Sequence, residues 1–112
     1  MSRNLAASLR KGAPVFAALG DDTRLRILAR LSTDGPLSIS QITSGEAVTR
    51  QAITKHLSVL ADAGLVRDTR SGRERLWQLD LSPLETARMC LDLVSQRWDQ
   101  RLERLRVLVE DD

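Results

Sequence analysis

Five side chains within residues 50–58, Arg50, Gln51, Thr54, Lys55 and Ser58, offer hydrogen-bond donors with no carboxylate among them. That set suits a groove lined with phosphates and base edges: arginine and glutamine can read guanine and adenine, and lysine adds salt-dependent attraction to phosphate. The residues between them explain how they come to share a side. Ile53, Leu57 and Leu60 recur at i, i+4 and i+7, the spacing of one apolar helical stripe, which leaves the donors on the opposite face. Thr49 stands where it can cap the first free N–H groups, and Gly64 stands where a left-handed end residue is wanted.

Immediately upstream, Ser38 and Gln41 have capping-box spacing, so a short helix carrying Ile39 and Ile42 is expected, closed by Gly45. The stretch SISQITSGEAVTRQAITKHLSVLADAGLV (38–66) thus reads as a helix-turn-helix whose second helix turns its polar face to a major groove. Two surface helices of an all-α bundle would share this pattern, and the flanks discriminate. After Gly64 the period changes from helical to two. LVRDTR, Ser71-Gly72 and RERLWQL predict a hairpin with Leu65, Leu76 and Leu79 as its buried contacts and Trp77 adjacent. Arg67, Arg70, Arg73 and Arg75 face only Asp68 and Glu74 there, so the ribbon can follow a phosphate backbone or enter a minor groove. An arginine-rich edge that merely blocks strand pairing is the alternative.

The elements around this head read as follows. Residues 1–12 (MSRNLAASLRKG) form an arm, either frayed or continuous with the first helix, and a short helix runs from Pro14 to Gly20. Asp21 caps a second helix with Leu25, Ile27, Leu28 and Leu31 buried and Arg24, Arg26 and Arg30 solvated, and Asp34-Gly35-Pro36 is a turn. Ser82-Pro83-Leu84-Glu85 then starts a long helix, with a cap, a first-turn proline and a box partner, that reaches about Val109, roughly 40 Å. Leu84, Leu91, Trp98 and Leu105 repeat every seven residues, with Ala87, Val94, Leu102 and Leu108 on the same side and Arg88, Arg97, Arg101, Arg104, Asp99 and Glu103 covering much of the rest. So long a stripe exceeds what one small head can cover, so a second copy of the chain is the expected partner; packing wholly onto its own domain is the competing reading. The organisation is an arm (1–12), a head (13–80) and a dimerisation helix (81–112). Its fold class is mainly α with a small β-hairpin, a winged helix-turn-helix with a long C-terminal helix.

Composition agrees. A chain of 112 residues supports one core, and 3% aromatics means that Leu, Ile, Val and Ala must build it, which favours packed helices. No run suggests a membrane span or a secretory signal, and a sole cysteine, Cys90, excludes an internal disulfide and fits a reducing cytoplasm. Residues 1–80 hold twelve Lys and Arg against eight Asp and Glu, whereas residues 81–112 hold five against seven. The basic excess therefore lies with the reading head, as expected if one part meets nucleic acid and the other meets protein.

The order of elements resembles the ArsR/SmtB family of bacterial winged-helix repressors. FAALGDDTRLRIL is similar to the family's opening alaDptRlrIL pattern, ITKHLSVLADAGLV to its vSkHLkvLreAGLV segment, and RSGRERLWQL to its r.Gr...Y.L wing, without a gap from Phe16 to Leu79. The resemblance implies a homodimer that binds an inverted-repeat operator in double-stranded DNA and blocks transcription until an effector, not identified by the sequence, releases it. By position, Arg50, Gln51, Thr54, Lys55 and Ser58 would read the groove, with Ser38 and Ser40 near a phosphate and Arg70, Gly72 and Arg73 at the wing tip. His56 matches the motif's histidine, at the edge of the polar face, where a phosphate contact and a half-buried packing role are both open. Leu84, Leu91, Val94, Trp98, Leu102 and Leu105 would meet in the dimer.

The departures matter equally. Metal-sensing members carry a Cys-x-Cys type site before the turn, or Asp and His ligands on the last helix; here the earlier helix has no cysteine and no histidine follows His56. One Cys and one His per chain fall short of a transition-metal site, so no metal and no cofactor is expected. Cys90 is expected to be a small packing residue, a redox-responsive regulator being the lesser alternative. The Trp98-Asp-Gln-Arg-Leu102 pattern resembles the branch without metal ligands. A protein-interaction module meeting an acidic partner remains a different class of function. An enzyme is disfavoured, because no nucleophile-base pairing or phosphate cradle is visible.

Overall fold

The computed structural model describes residues 2–111. The elements are α1 (Ser2–Leu19), α2 (Asp22–Asp34), β1 (Leu37–Ser38), α3 (Ile39–Ser44), α4 (Arg50–Asp62), β2 (Val66–Ser71), β3 (Glu74–Leu79) and α5 (Ser82–Glu110). This is the mainly helical winged helix-turn-helix with a long last helix, and it carries one strand more than a hairpin.

Residues 2–12 are continuous with the first helix. α1 runs unbroken through Pro14, so the separate short helix expected from that proline onward does not occur. Proline lacks the N–H that would reach the Arg10 carbonyl, leaving that turn one bond short. Packing holds it: Val15 and Ala18 are buried, and a Cβ on Gly12 would sit 2.9 Å from the Phe16 ring and 3.6 Å from Cys90 Sγ on α5.

Asp21 caps α2, accepting from Arg24 N at 3.0 Å, and that bond is the main reason its carboxyl lies below the ordinary range. Ile27, Leu28 and Leu31 are buried, but Leu25, expected beside them, is 49% exposed. The residue that shares their i, i+3, i+4, i+7 stripe is Arg24. Gly35, at φ +78°, ends the helix.

The chain pairs before it turns again. Leu37 lies opposite Trp77 and Ser38 opposite Leu76, which makes β3 the middle strand of the antiparallel order β1-β3-β2. Two residues are too few for an alternating pattern, so this strand was invisible in the sequence. Ser38 ends β1 and caps α3: its Oγ accepts from Gln41 N at 3.2 Å while Gln41 Oε1 accepts from Ser38 N at 2.8 Å. In α4 the expected stripe of Ile53, Leu57 and Leu60 is buried, Thr49 Oγ1 accepts from Ala52 N at 3.1 Å, and Gly64 follows at φ +76°.

The hairpin register runs from Val66 opposite Leu79 to Ser71 opposite Glu74. Its two-residue loop is therefore Gly72-Arg73, not the expected Ser71-Gly72, with Gly72 at φ +64° in the first loop position that glycine favours. Leu65 is buried and Leu79 packs on the core as expected, but Leu76 is on the other face of β3, and Val66 and Trp77 are the buried residues of the ribbon.

α5 begins without the expected Ser82–Glu85 box. Ser82 opens the helix behind Leu81, no side chain caps it, and Ser82 N donates instead to Asp80 Oδ1 at 3.0 Å. That bond holds the Asp80 carboxyl below its ordinary range. Ala87 and Cys90 are buried, and Leu84 packs on the core of its own chain, so the first turns of α5 belong at least partly to the head. Beyond Cys90 the stripe of Leu91, Val94, Trp98, Leu102 and Leu105 is exposed, Trp98 at 61%.

Candidate nucleic-acid interface

The exposed donor set of α4 is held by the opposite side of its own helix. Because Ile53, Leu57 and Leu60 are sunk in the core, Arg50, Gln51, Thr54, Lys55 and Ser58 all stand in solvent. Thr54 Oγ1 donates to the Arg50 carbonyl at 2.9 Å, while Arg50 Nη1 donates to Ser40 Oγ at 3.4 Å, tying the start of α4 to α3. α3 in turn is held from behind by α2. Arg30 Nη1 donates to the Ile42 carbonyl at 2.7 Å, and Arg26 pairs with Asp22 and with the enclosed Glu46 carboxylate, 3.1 Å away, in the turn.

The wing completes one side of this surface. Ser38 and Ser40 from the front of α3, Arg50 and Thr54 from α4, and Arg73 and Arg75 from the ribbon line a single open cleft of about 510 Å³, with Trp77 at its wall. Ile39 and Glu74 line it as well, so three guanidiniums and three hydroxyls face one carboxylate and the concavity carries a net positive charge suited to an anion. Arg75 is braced within it: the guanidinium lies 4.7 Å from the Trp77 ring centroid, and Nε donates to Asp68 Oδ2 at 2.7 Å. This contact holds the Asp68 carboxyl below its usual range. It also offsets the like charge of Arg70, directly opposite Arg75 across the hairpin. Arg70 and Gly72 reach the ribbon's outer end and are exposed, but they do not line the cleft.

His56 takes the half-buried position of its two expected ones. Its ring turns toward α2, with Nδ1 3.2 Å from Arg24 Nη1 and 3.8 Å from Asp21 Oδ2. Arg24, read from the sequence as solvated, is half-buried and faces inward together with Arg30. The available signal was the register of Arg24 with Ile27, Leu28 and Leu31. Cys90 is buried and its Sγ donates to the Ser8 carbonyl at 3.2 Å, a packing position. Among the described residues no group of three or more His, Cys, Asp or Glu is placed to hold a metal ion, and no helix is long and apolar enough to cross a membrane.

A helical pair backed by a three-stranded sheet, with a basic ribbon beside the second helix, defines the winged helix-turn-helix class. A family model described as a helix-turn-helix domain matches residues 19–69. The HTH-type transcriptional regulator Rv2034 of Mycobacterium tuberculosis is 36% identical over 97 residues, 87% of each chain. The solved structure of an ArsR-like transcriptional regulator from Rhodococcus sp. RHA1 superposes with a TM-score of 0.79 at 37% identity, covering 91% of this chain and 95% of that one. The homodimeric winged helix-turn-helix DNA-binding domain of Mb0332 from Mycobacterium bovis, described as a possible ArsR-family regulator, gives 0.61 at 28% identity over 87% of this chain and 86% of that one. The chain belongs to the ArsR family of winged helix-turn-helix transcriptional regulators.

Proposed function

We infer that two copies of this chain bind an inverted-repeat operator and repress the promoter that contains it. The observation that carries this reading is the single cleft where Ser38, Ser40, Arg50, Thr54, Arg73 and Arg75 meet, with Gln51, Lys55 and Ser58 exposed along the same helix. Arg50 and Gln51 read base edges, Lys55 and the arginines at the wing, Arg70 and Arg73, engage phosphates, and the Ser38 and Ser40 hydroxyls seat the backbone at the front of α3. Gly72 lets the ribbon turn tightly enough to reach the groove.

Dimerisation places two such faces on one side of a duplex. The stripe of Leu91, Val94, Trp98, Leu102 and Leu105 is the proposed seam, extended at its base by the outer edge of Leu84, and a homodimeric relative of the same fold supports it. The operator then has half-sites about one helical turn, ~34 Å, or a small multiple apart. Metal sensing is disfavoured, because Cys90 and His56, the only cysteine and histidine, lie in different elements and already have other partners. An effector of another kind is compatible with this reading.

Selection of bound duplexes from a random pool tests it, with affinities measured at matched salt. The expected outcome is a palindromic consensus. Arg50→Ala then costs about 1–3 kcal/mol and relaxes the preference at one position in each half-site, whereas Lys55→Ala weakens all duplexes alike and lowers the salt slope by about one. Equal affinity for selected and random DNA would overturn the operator reading.

A further inference from the structure

We propose that Arg24 is a positioning residue for the reading helix, acting through His56: anchored on the end of α1, its guanidinium holds the imidazole and so sets how α4 sits against α1 and α2. The proposal rests on the operator reading above.

Arg24 Nε donates to the Ala18 carbonyl at 2.6 Å and Nη2 to the Ala17 carbonyl at 3.4 Å. Both carbonyls lie in the last turn of α1, where helix carbonyls lack an i+4 donor; Ala17's also accepts from Gly20 N at 3.2 Å, and a side chain from the next helix covers the pair. The remaining arm, Nη1, crosses to His56 Nδ1 at 3.2 Å. A guanidinium carries donors only, so Nδ1 accepts and the ring proton belongs on Nε2. One side chain thereby links α1, α2 and α4, and the contact to α4 falls one residue from Lys55 on the groove-facing side.

Asp21 makes this link switchable. Its Oδ2 lies 3.8 Å from the same Nδ1, so the two neighbours favour opposite states of one nitrogen: Arg24 needs its lone pair, and the carboxylate favours an N–H. Among the described residues these two, both from the start of α2, are the charged groups paired with the ring. α1 contributes backbone carbonyls, and on α4 itself Asp62 lines the shallow cleft shared with Arg24 while Lys55 is adjacent in sequence. A proton on Nδ1 puts a second cation beside Arg24 and pairs the ring with Asp21, which opens the latch. Two reading helices must meet their half-sites together, so a change of tilt in α4 is felt twice in one complex.

The test titrates the full chain with its selected operator at fixed salt from about pH 8 to about pH 5.5, the range in which imidazoles take up protons. The sequence holds one histidine, so no second imidazole contributes, and the His56→Asn profile separates the ring from the α-amino group. Native affinity is expected to fall about tenfold toward acid. His56→Asn, whose amide oxygen replaces Nδ1 as acceptor and takes no proton, keeps the alkaline affinity with a flat profile; Arg24→Met is flat and about tenfold weaker throughout. Nitrogen NMR of the single imidazole, without DNA, is expected to show Nε2–H and bare Nδ1 at alkaline pH. Affinity that rises toward acid, as an imidazolium on a phosphate requires, overturns the proposal, as does an Nδ1–H tautomer. A selected operator bound with a flat native profile overturns this proposal alone; failure to select any operator removes the reading on which it stands.

Discussion

Two stretches of this chain meet solvent in opposite ways. Up to Cys90 every element contributes at least one buried side chain, from Val15 in α1 to Ala87 and Cys90 in α5, whereas none of residues 91–111 is buried although nearly all are helical. The apolar content hardly differs: Leu91, Val94, Trp98, Leu102 and Leu105 are as hydrophobic as Ile53, Leu57 and Leu60. What differs is whether the same chain supplies the other half of the contact. The head therefore draws stability from within, whereas the far half of α5 has no such cover in its own chain, and the proposed dimer would supply it, since most helical stability in proteins comes from packing an apolar face.

The comparison breaks most visibly in the head. Leu57→Ala is expected to cost about 2–5 kcal/mol in denaturant unfolding, because the core closes on Leu57 from several sides and relaxes little around a lost side chain. A loss below that range would show the head to be looser than its burial indicates. Next, Trp98→Glu should leave the folding of the head nearly intact while it converts dimer to monomer in sedimentation and weakens operator binding about a hundredfold. Parallel loss of head stability would mean that α5 and the head fold as one unit.

The smallest effect lies at the wing. The Asp68 carboxyl is lowered in the fold by the Arg75 guanidinium, so the contribution of this pair is present above the ordinary carboxylate range and fades as pH falls through the lowered value. Both groups are well exposed, so Asp68→Asn should remove only a slight acid-side slope in the thermal midpoint, and an unchanged slope would place that slope elsewhere.

Where sequence periods were long and marked at both ends, the fold was legible: α4, its Thr49 cap and its three buried residues followed from spacing alone. The exposure of the five α4 donors was legible for the same reason, as the complement of that stripe. Shorter or competing signals hid the rest. β1 has two residues, too few to alternate. Pro14 reads as a helix start, yet packing against α5 carries α1 through it. At α5, Asp80 accepts the Ser82 N–H that the Glu85 carboxylate was expected to accept. The α2 arginines were assigned to solvent by charge, although their long stems allow Arg24 and Arg30 to reach backbone carbonyls while staying partly hydrated. The register of Arg24 contained the warning. The cleft itself needs the hairpin folded back beside α3, and no local pattern encodes that approach.

Because β3 is hydrogen-bonded on one edge to β2 and on the other to Leu37–Ser38, the strand that carries Arg75 is also tied to the residue that opens α3. Wing and front helix thus form a yoke: a force that pushes the hairpin aside must also drag the entrance to α3.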